Sequence, residues 1–358
     1  MDARGLLLPA AVLAAIVVAL LAEPLFASDS RVPSAGGDLR KQFVAARSFG
    51  VEQVRSGNLP LWNPHTFSGT PFVGVFQSSL LYPLNVFYLV LPLARAISLE
   101  LAGNLFLLGL CTLIWLRGHG LHPLAGFLGA LAAMLGATSY LRVLAGQLTV
   151  VDTYAWVPLL LCAVDRLSER ASSGWLLAGV AAASAMILAG HPPTVLMAAL
   201  VTALYAAPRL LAGPRRLRFA GTLAVLAIAP ALLTAVQLFT GIALASETLR
   251  GEGLGFDAAT AYSFPPESLL PLVAWDTFGD GVNHSFGAGS TGTPPPTSGS
   301  SRAASRSTAG CRGPPRCGGV RCGWCPCSFS SRSAATRRST RSCTRRSRAS
   351  SGCARHRS

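Results

Sequence analysis

Apolar stretches close to the length of a bilayer span recur along this chain, and they constrain its fold more than any other feature. Hydrophobic residues make up 51% of the sequence, whereas charged residues make up only 13%. A membrane-spanning helix takes about 20 predominantly apolar residues, and the stretch from Leu6 to Phe26 already has that character. The sequence therefore predicts an all-α polytopic membrane protein.

The apolar stretches predict seven transmembrane helices. They lie near residues 6–26, 97–116, 123–140, 153–165, 175–190, 193–211 and 219–245. The first could instead be a signal peptide, but its apolar run is long for one. Leu25 also stands where a small residue is expected before a cleavage after Ala27. We therefore interpret it as an uncleaved first helix.

Positive charge in the short loops predicts the orientation of these helices, because cytoplasmic loops carry an excess of basic residues. The basic residues on one side are Arg4, Arg117, Arg166, Arg170, Arg209, Arg215, Arg216 and Arg218. The short loops of the other side carry Arg142 and the turn Gly190–Pro193. We expect the arginine-rich side, with the N-terminus, to be cytoplasmic. Residues 28–78 and 246–285 are then extracytoplasmic.

The segment Leu80–Leu93 is apolar, but it has only 14 residues and contains Pro83 and Pro92. Counting it as a span would reverse every later loop and remove the charge asymmetry. Apolar segments this short are usually buried, re-entrant or interfacial. We predict a re-entrant or interfacial helix.

The segment Asp38–Val54 has the pattern of an amphipathic helix. Its apolar positions recur at helical spacing and include Leu39, Phe43, Ala46 and Val54. The charged residues between them are Arg40, Lys41, Arg47 and Glu52. Such a helix is expected to lie flat on the outer face of the membrane.

A rigid, polar loop follows this helix, with the sequence "SGNLPLWNPHTFSGTPFVG" from Ser56 to Gly74. Proline fixes φ at three positions, and glycine permits backbone conformations that other residues avoid. The loop is therefore predicted to be an ordered connector. Trp62 and Tyr82 suit the headgroup level of a membrane, where amphipathic rings collect.

The segment from Phe286 to Ser358 has a different composition from the rest of the chain. It contains 14 arginines, seven of the nine cysteines and no acidic residue, so most of the net charge of +15 comes from it. Its Cys322-Gly-Trp-Cys325 lacks the strand and helix pattern of a redox or zinc site. Its arginines would bind nucleic acid or acidic lipid without specificity, so no specific nucleic-acid partner is predicted.

This composition is typical of a GC-rich gene read out of frame. Combining the third base of each codon with the first two of the next, "FGAGSTGTPPPTSG" permits Trp-Gly-Arg-Val-Tyr-Trp-Tyr-Ala-Thr-Ser-Tyr-Leu-Gly. This alternative translation would be an aromatic membrane-interface segment that leads into another helix. We predict a frameshift near residues 284–286, and a disordered tail over residues 286–358 as printed.

Residues 6–285 resemble the YfhO-type bacterial membrane proteins, a branch of the GT-C glycosyltransferase superfamily. The most specific matches are Asp38, "GNLPLWNPHTFSGTPF", Gln77 and "YPLN". Further matches are "WVPL" from Trp156, "AGHPP" from Ala189, "AVQL" from Ala235 and "FPPESLLPLVAWDTFG" from Phe264. Proteins of this family are longer and have more helices. The resemblance thus implies a truncated GT-C-like helical bundle in a bacterial plasma membrane.

The resemblance also implies an activity: transfer of a sugar from a polyprenyl-phosphate carrier to a cell-envelope acceptor outside the cytoplasm. Asp38 matches the acidic residue of the first outer loop that serves as catalytic base in such enzymes. A carboxylate there can accept the proton of the acceptor hydroxyl. No nucleotide-binding loop is needed for this chemistry, and none of the glycine-rich motifs is present in the sequence.

Seven further residues are candidates for substrate binding. Arg40 and Lys41 could bind the donor phosphate, or form a solvated basic surface. The other candidates are Trp62, Asn63, His65, Gln77 and His191. Trp62 could equally anchor the loop at the interface, and His191 could cap a helix end.

Asp38 and several other polar residues can also be interpreted without a role in catalysis. Asp38 itself could cap the amphipathic helix, since Asp is a favoured N-cap. Glu100 lies in an apolar helix, where ionisable residues indicate function, but could reach the interface. Gln147 and Asp152 border another outer loop. Asp276 and Asp280 could bind a divalent cation, although two carboxylates alone are a weak metal motif.

Two other functional classes stay open on the sequence alone. One is a transporter or lipid-handling protein that uses the rigid loop as a gate. Transporters place charged residues and broken helices near the bilayer midplane, whereas the polar residues here gather toward the outer face. The other is a non-enzymatic assembly factor.

The frameshift can be tested by sequencing the gene across codons 280 to 310 and translating the alternative frame. We expect an aromatic segment followed by apolar helices without an early stop. Stop codons or a polar amino-acid sequence in that frame would show that the arginine- and cysteine-rich tail is genuine.

Overall fold

The computed structural model describes residues 4–26, 37–248 and scattered positions between 251 and 270. The elements considered below belong to one compact unit, which spans Met1–Ala261. The predicted tail, the frameshift position, Asp276 and Asp280 lie outside the described residues, as does part of the predicted outer loop 28–78.

The described part of the chain is predominantly helical. Its helices are α1 (Arg4–Leu20), α2 (Ala22–Phe26), α3 (Val44–Arg55), α4 (Phe87–Val90), α5 (Leu93–Gly118), α6 (Pro123–Leu135), α7 (Ala137–Ala145), α8 (Leu148–Tyr154), α9 (Val157–Glu169), α10 (Ser173–Leu188), α11 (Pro192–Ala212), α12 (Arg216–Leu233), α13 (Ala235–Ser246) and α14 (Phe256–Thr260). Helices are therefore found at each of the seven predicted positions.

Five helical segments in the described residues are long and apolar enough to cross a membrane. They are Leu93–Gly118, Pro123–Ala145, Leu148–Glu169, Pro192–Leu211 and Arg216–Leu233. Three shorter apolar helices are Gly5–Leu20, Ser173–Leu188 and Ala235–Ser246. The structure thus has the all-α architecture and the apolar helices expected of a polytopic membrane protein.

Several predicted helices are interrupted. The prediction of one continuous helix over 219–245 is wrong, because α12 ends at Leu233 and α13 begins at Ala235. The cause lies at Pro230, which cannot donate a backbone hydrogen bond. Both the amide and the hydroxyl of Thr234 bond to the Pro230 carbonyl, at 3.0 and 2.8 Å, and close the turn.

Helix α5 lies at the centre of the helical packing, where it contacts α1, α6 and α9. Leu13, Ile97, Leu113 and Met134 are almost fully buried in the core that these helices share. Gly109 permits the close approach of α6, because a side chain there would overlap the thioether of Met134.

The predicted amphipathic helix is present, and it begins with a π-helical turn, Leu39–Phe43, that continues into α3. Leu39 and Phe43, on its apolar side, are buried within the protein. The placement of Arg47 on the polar face is wrong, since its side chain is only 3% exposed. A charged partner inside the bundle, described below, makes this burial possible.

The loop after α3 is ordered, as predicted. Strand β1 (Trp62–Asn63) pairs antiparallel with β2 (Thr70–Pro71), and Trp62 lies opposite Pro71. The chain reverses through residues with positive φ, including Phe67 and Ser68. Gly69 completes the turn at φ +120°, and the Trp62 indole packs against it too closely for any side chain there.

The segment Leu80–Leu93 is not a span, as predicted from its length. It consists of a 3₁₀ turn over Pro83–Val86, the single turn α4 and the first residue of α5. A preceding 3₁₀ turn, Phe76–Ser78, joins it to the hairpin loop.

Gly190 docks this region onto the turn between α10 and α11. Its φ is +83°, and an added Cβ would overlap the Phe76 carbonyl oxygen. Gly57 is a matched control, because its φ is +79° and nothing lies within 4 Å of its Cβ position.

We expect Gly57→Ala to cost about 1 kcal/mol of unfolding free energy for the left-handed backbone alone. Gly190→Ala should cost clearly more, because it also separates two packed backbones. Thermal unfolding of the purified variants in detergent measures both losses. Equal losses would show that Gly190 makes no close contact with Phe76.

Candidate functional site

Asp38 lies where the start of the amphipathic helix meets the end of α7. Two glycines permit this approach, and both have positive φ. A side chain on Gly37 would overlap the carbonyl oxygen of Ala145. One on Gly146 would lie 2.8 Å from the amide nitrogen of Leu39. Asp38 is therefore fixed against the α7–α8 junction by backbone contacts on both sides.

The carboxylate of Asp38 is exposed and accepts a hydrogen bond from Gln147 Nε2 at 3.4 Å. Arg142 NH1 in turn donates to Gln147 Oε1 at 2.6 Å. The alternative that Asp38 caps the helix is wrong. Its backbone is already helical, at φ −70° and ψ −27°, and its side chain makes no capping hydrogen bond.

His191 caps α11, as one of the two interpretations predicts. Its Nδ1 accepts from the Thr194 amide at 3.3 Å and lies 2.7 Å from the Thr194 hydroxyl. Partial burial, followed by the positive charge of Arg142, lowers the pKa of His191 below its ordinary value. Both effects favour the neutral form of the ring.

Gln77 contacts the amphipathic helix through a hydrogen bond from Gln42, one turn after Asp38. The neighbouring Phe76 carbonyl touches Gly190 and accepts from Gln237 Nε2 at 3.4 Å. Ser79 donates its hydroxyl to the Ala189 carbonyl at 2.7 Å. The segment 76–79 thus joins the amphipathic helix to the α10–α11 turn and to α13.

The candidate residues of the hairpin, Trp62, Asn63 and His65, lie in a part of the structure away from Asp38. Asn63 is buried; its Oδ1 accepts from the His65 amide at 3.0 Å, and its Nδ2 donates to Thr66 at 3.2 Å. The His65 ring packs edge-on against Phe49, 5.8 Å between centroids. Trp62 is 56% exposed.

Phe49 lies roughly 16 Å along the helix from Asp38, at about 1.5 Å per residue. The structure therefore uses Asn63 to shape the loop and does not bring it to Asp38. Trp62 and His65 stay at the surface of the same hairpin. Arg40 and Lys41, by contrast, are exposed within a turn of Asp38.

A buried charged network, absent from the predicted site, lies beneath the amphipathic helix. Arg47 NH2 donates to Glu100 Oε1 at 3.1 Å, with the side chains 3% and 0% exposed. Tyr88 donates its hydroxyl to the other carboxylate oxygen, and Arg47 NH1 also bonds to the Ser78 carbonyl. Burial disfavours the charge of Arg47, but the Glu100 carboxylate raises its pKa above the ordinary value.

The network continues into the bundle through Asn104 and Asp152. Asn104 Nδ2 donates to Asp152 Oδ1 at 2.7 Å, and its Oδ1 accepts from the Tyr82 hydroxyl. Trp156 Nε1 donates to Tyr82 at 3.0 Å. Glu100 and Asp152 are both 0% exposed, and each has a hydrogen-bonded partner inside the bundle.

One signal in the sequence marks this network: Glu100 and Asp152 are ionisable residues within apolar helices, and such residues usually have a specific partner. Tyr82 and Trp156 also belong to two of the quoted motifs. The pairing itself could not be predicted, because Arg47 is 53 residues from Glu100 in the chain.

A second polar cluster joins the opposite ends of α5, α9 and α11. Asp165 accepts from Arg209 at 2.7 Å and from Trp115 Nε1 at 2.9 Å. The Tyr205 hydroxyl donates to the same carboxylate, and His119 Nε2 lies 3.2 Å from it. This cluster lies where the sequence predicts the cytoplasmic side, and it ties three helices together.

No protein family of known type matches the chain, and no curated protein or solved structure is significantly similar to it. Among the described residues, no group of three or more His, Cys, Asp or Glu side chains is arranged to hold a metal ion. Asp38, Gln147 and Arg142 form one hydrogen-bonded group, and the exposed Arg40 and Lys41 lie within a turn of Asp38.

The buried ion pair generates a prediction about stability. Glu100→Gln leaves the Arg47 charge buried without its counter-charge, and we expect a loss of about 3–5 kcal/mol. Glu169→Gln removes an exposed partner of Arg166 at 3.4 Å, and such a change costs about 1 kcal/mol or less. Thermal unfolding in detergent compares the two variants.

The double variant Arg47→Met with Glu100→Gln should recover much of the loss, because no buried charge is left unpaired. If Glu100→Gln were no worse than Glu169→Gln, the ion pair would not hold the amphipathic helix in place.

Proposed function

We propose that this chain is a membrane glycosyltransferase of the GT-C type. It transfers a sugar from a polyprenyl-phosphate carrier to a hydroxyl group of an extracytoplasmic cell-envelope acceptor, and Asp38 is the catalytic base. The motifs around Asp38 suggest the proposal. One structural observation carries it: the Asp38 carboxylate is exposed, takes no part in helix capping and has basic and amide side chains beside it.

The reaction assigns a role to each group. The acceptor oxygen attacks the anomeric carbon and forms the new C–O bond, while the bond between that carbon and the phosphate oxygen breaks. The electron pair leaves with the lipid phosphate, and Asp38 accepts the hydroxyl proton. Arg40 and Lys41 neutralise the developing phosphate charge through charge-assisted hydrogen bonds.

Two of the remaining candidates orient the sugar in this proposal. Arg142 and Gln147 hold the Asp38 carboxylate in position, and His191 and Gln77 offer hydrogen bonds to sugar hydroxyls. Trp62, Asn63 and His65 lie on the hairpin, away from Asp38, and take no part in this step. A divalent cation is not required by this scheme, because basic side chains bind the phosphate.

Loss of the base should be measurable. Asp38→Asn in the purified protein with its predicted reading frame restored after residue 286, assayed in lipid nanodiscs with a panel of radiolabelled polyprenyl-phosphate sugars, should lower transfer by about 10²–10⁴-fold. Glu52→Gln is the matched control, because Glu52 is an exposed acid on the same amphipathic helix, and it should keep full activity. Both variants should unfold at the temperature of the unsubstituted protein.

Full activity in Asp38→Asn would remove Asp38 from the mechanism. If the unsubstituted protein in the restored frame transfers no sugar from any donor in the panel, the proposed activity itself is contradicted.

A transporter or lipid-handling protein is the second candidate, and one observation favours it. Glu100, Asn104 and Asp152 form a polar group inside two segments long enough to span a membrane, where transporters place coupling residues. In that case Asn104→Leu should abolish uptake into proteoliposomes, whereas Asp38→Asn should leave it unchanged.

A further inference from the structure

A cleft separate from the Asp38 group lies between α3 and residues 80–89. Its volume of about 350 Å³ is within the roughly 300–1,000 Å³ range of small-ligand sites. Most of its lining is apolar, with Ala46, Val51, Val54, Phe72, Leu81 and Val86 among the residues. Asp38 is not one of them. Such a cleft suits an apolar chain.

The same cleft is also lined by two polar residues that each have an unused hydrogen-bonding atom. Arg47 Nε and Asn85 Oδ1 are buried and have no hydrogen-bond partner in the described part of the chain. A buried polar atom left in this state costs about 1–3 kcal/mol, so it indicates a missing partner.

The two residues are held at neighbouring positions of the backbone. Arg47 NH1 bonds to the Ser78 carbonyl, and Asn85 Nδ2 bonds to the carbonyl of the next residue, Ser79. Consecutive residues are about 3.8 Å apart, so both side chains are anchored at one point of the backbone. Arg47 Nε is a donor and Asn85 Oδ1 is an acceptor. A hydroxyl group can pair with either atom, because it both accepts and donates hydrogen bonds.

The charge at this point is already balanced. Glu100 Oε1 lies 3.1 Å from the Arg47 guanidinium, and both side chains are buried. An anionic headgroup would add an unpaired negative charge beside Glu100. The site therefore favours an uncharged polar group.

The mouth of the cleft is apolar and exposed. Leu59 is 78% exposed, Val86 56%, Leu81 48% and Leu89 46%. Leu81, Val86 and Leu89 lie in the segment just before α5, which is long and apolar enough to cross a membrane. The cleft therefore opens where a bilayer can supply an acyl chain.

We infer that this cleft binds an uncharged, hydroxylated single-chain lipid. Its chain lies against the apolar walls, and its hydroxyl group pairs with Arg47 or Asn85. The inference does not depend on the proposed sugar transfer, because the ligand is neither the phosphate-bearing donor nor held by Asp38.

The test is photo-crosslinking of the purified full chain in nanodiscs. The probe is a monoacylglycerol that carries a diazirine in its acyl chain, and the comparison is a lysophosphatidic acid with the same chain. We expect the monoacylglycerol to label residues 46–59 and 80–89, with competition by unlabelled monoacylglycerol. The anionic probe should label these residues less.

Two substitutions narrow the cleft from opposite walls. Ala46→Phe fills it from α3, and Ala45→Phe is the control, because Ala45 is exposed on the same helix and does not line the cleft. Val86→Trp narrows the mouth at an exposed position, so it leaves the packed core unchanged and decides the test if Ala46→Phe misfolds. Cleft labelling should fall at least about tenfold in both narrowed variants, the loss expected when two methylene groups can no longer be buried.

Unchanged labelling in both narrowed variants would overturn the inference. So would labelling spread evenly over the outer faces of the helices. Stronger capture of the lysophosphatidic acid would show that the cleft is an anion site and would overturn the uncharged assignment.

Discussion

Arg47 carries a positive charge into a site where it is only 3% exposed, and Glu100, wholly buried in α5, supplies the opposite charge 3.1 Å away. A buried charge is tolerated only when it is paired and hydrogen-bonded. Tyr88 bonds to Glu100 and the Ser78 carbonyl bonds to Arg47, so the amphipathic helix, the 80–90 segment and α5 meet at one point. The placement of Asp38 depends on that junction, because Asp38 begins the same amphipathic helix.

From the Arg47–Glu100 pair, polar contacts extend into the helical bundle on one side and to the rigid loop on the other. Inward, Asn104, Asp152, Tyr82 and Trp156 connect α5 with α8 and the residue before α9. Outward, Phe76 and Ser79 fix the rigid loop to the α10–α11 turn and to α13. The rigid loop is thus a docked part of the bundle, and its order follows from these contacts as well as from its own prolines and glycines.

Sequence patterns predicted what depends on local regularity. The apolar helices, the amphipathic segment and the ordered Trp-Asn-Pro loop follow from periodicity, length and the restrictions of proline and glycine. Predictions failed where a distant residue decides the outcome. Arg47 fits the polar face of an isolated helix, and only Glu100 explains its burial. Asp38 fits a capping position, but the contact of Gly37 with Ala145 and the bond from Gln147 direct it elsewhere.

The proposed chemistry requires the Asp38 end of the amphipathic helix to face the extracytoplasmic side. Lys41 is the only lysine in the sequence, and it is exposed three residues from Asp38. Intact cells can therefore be treated with a membrane-impermeant amine reagent, and modification of Lys41 can be quantified by mass spectrometry. The account predicts equal modification in intact and permeabilised cells. Modification of Lys41 only after permeabilisation would contradict it.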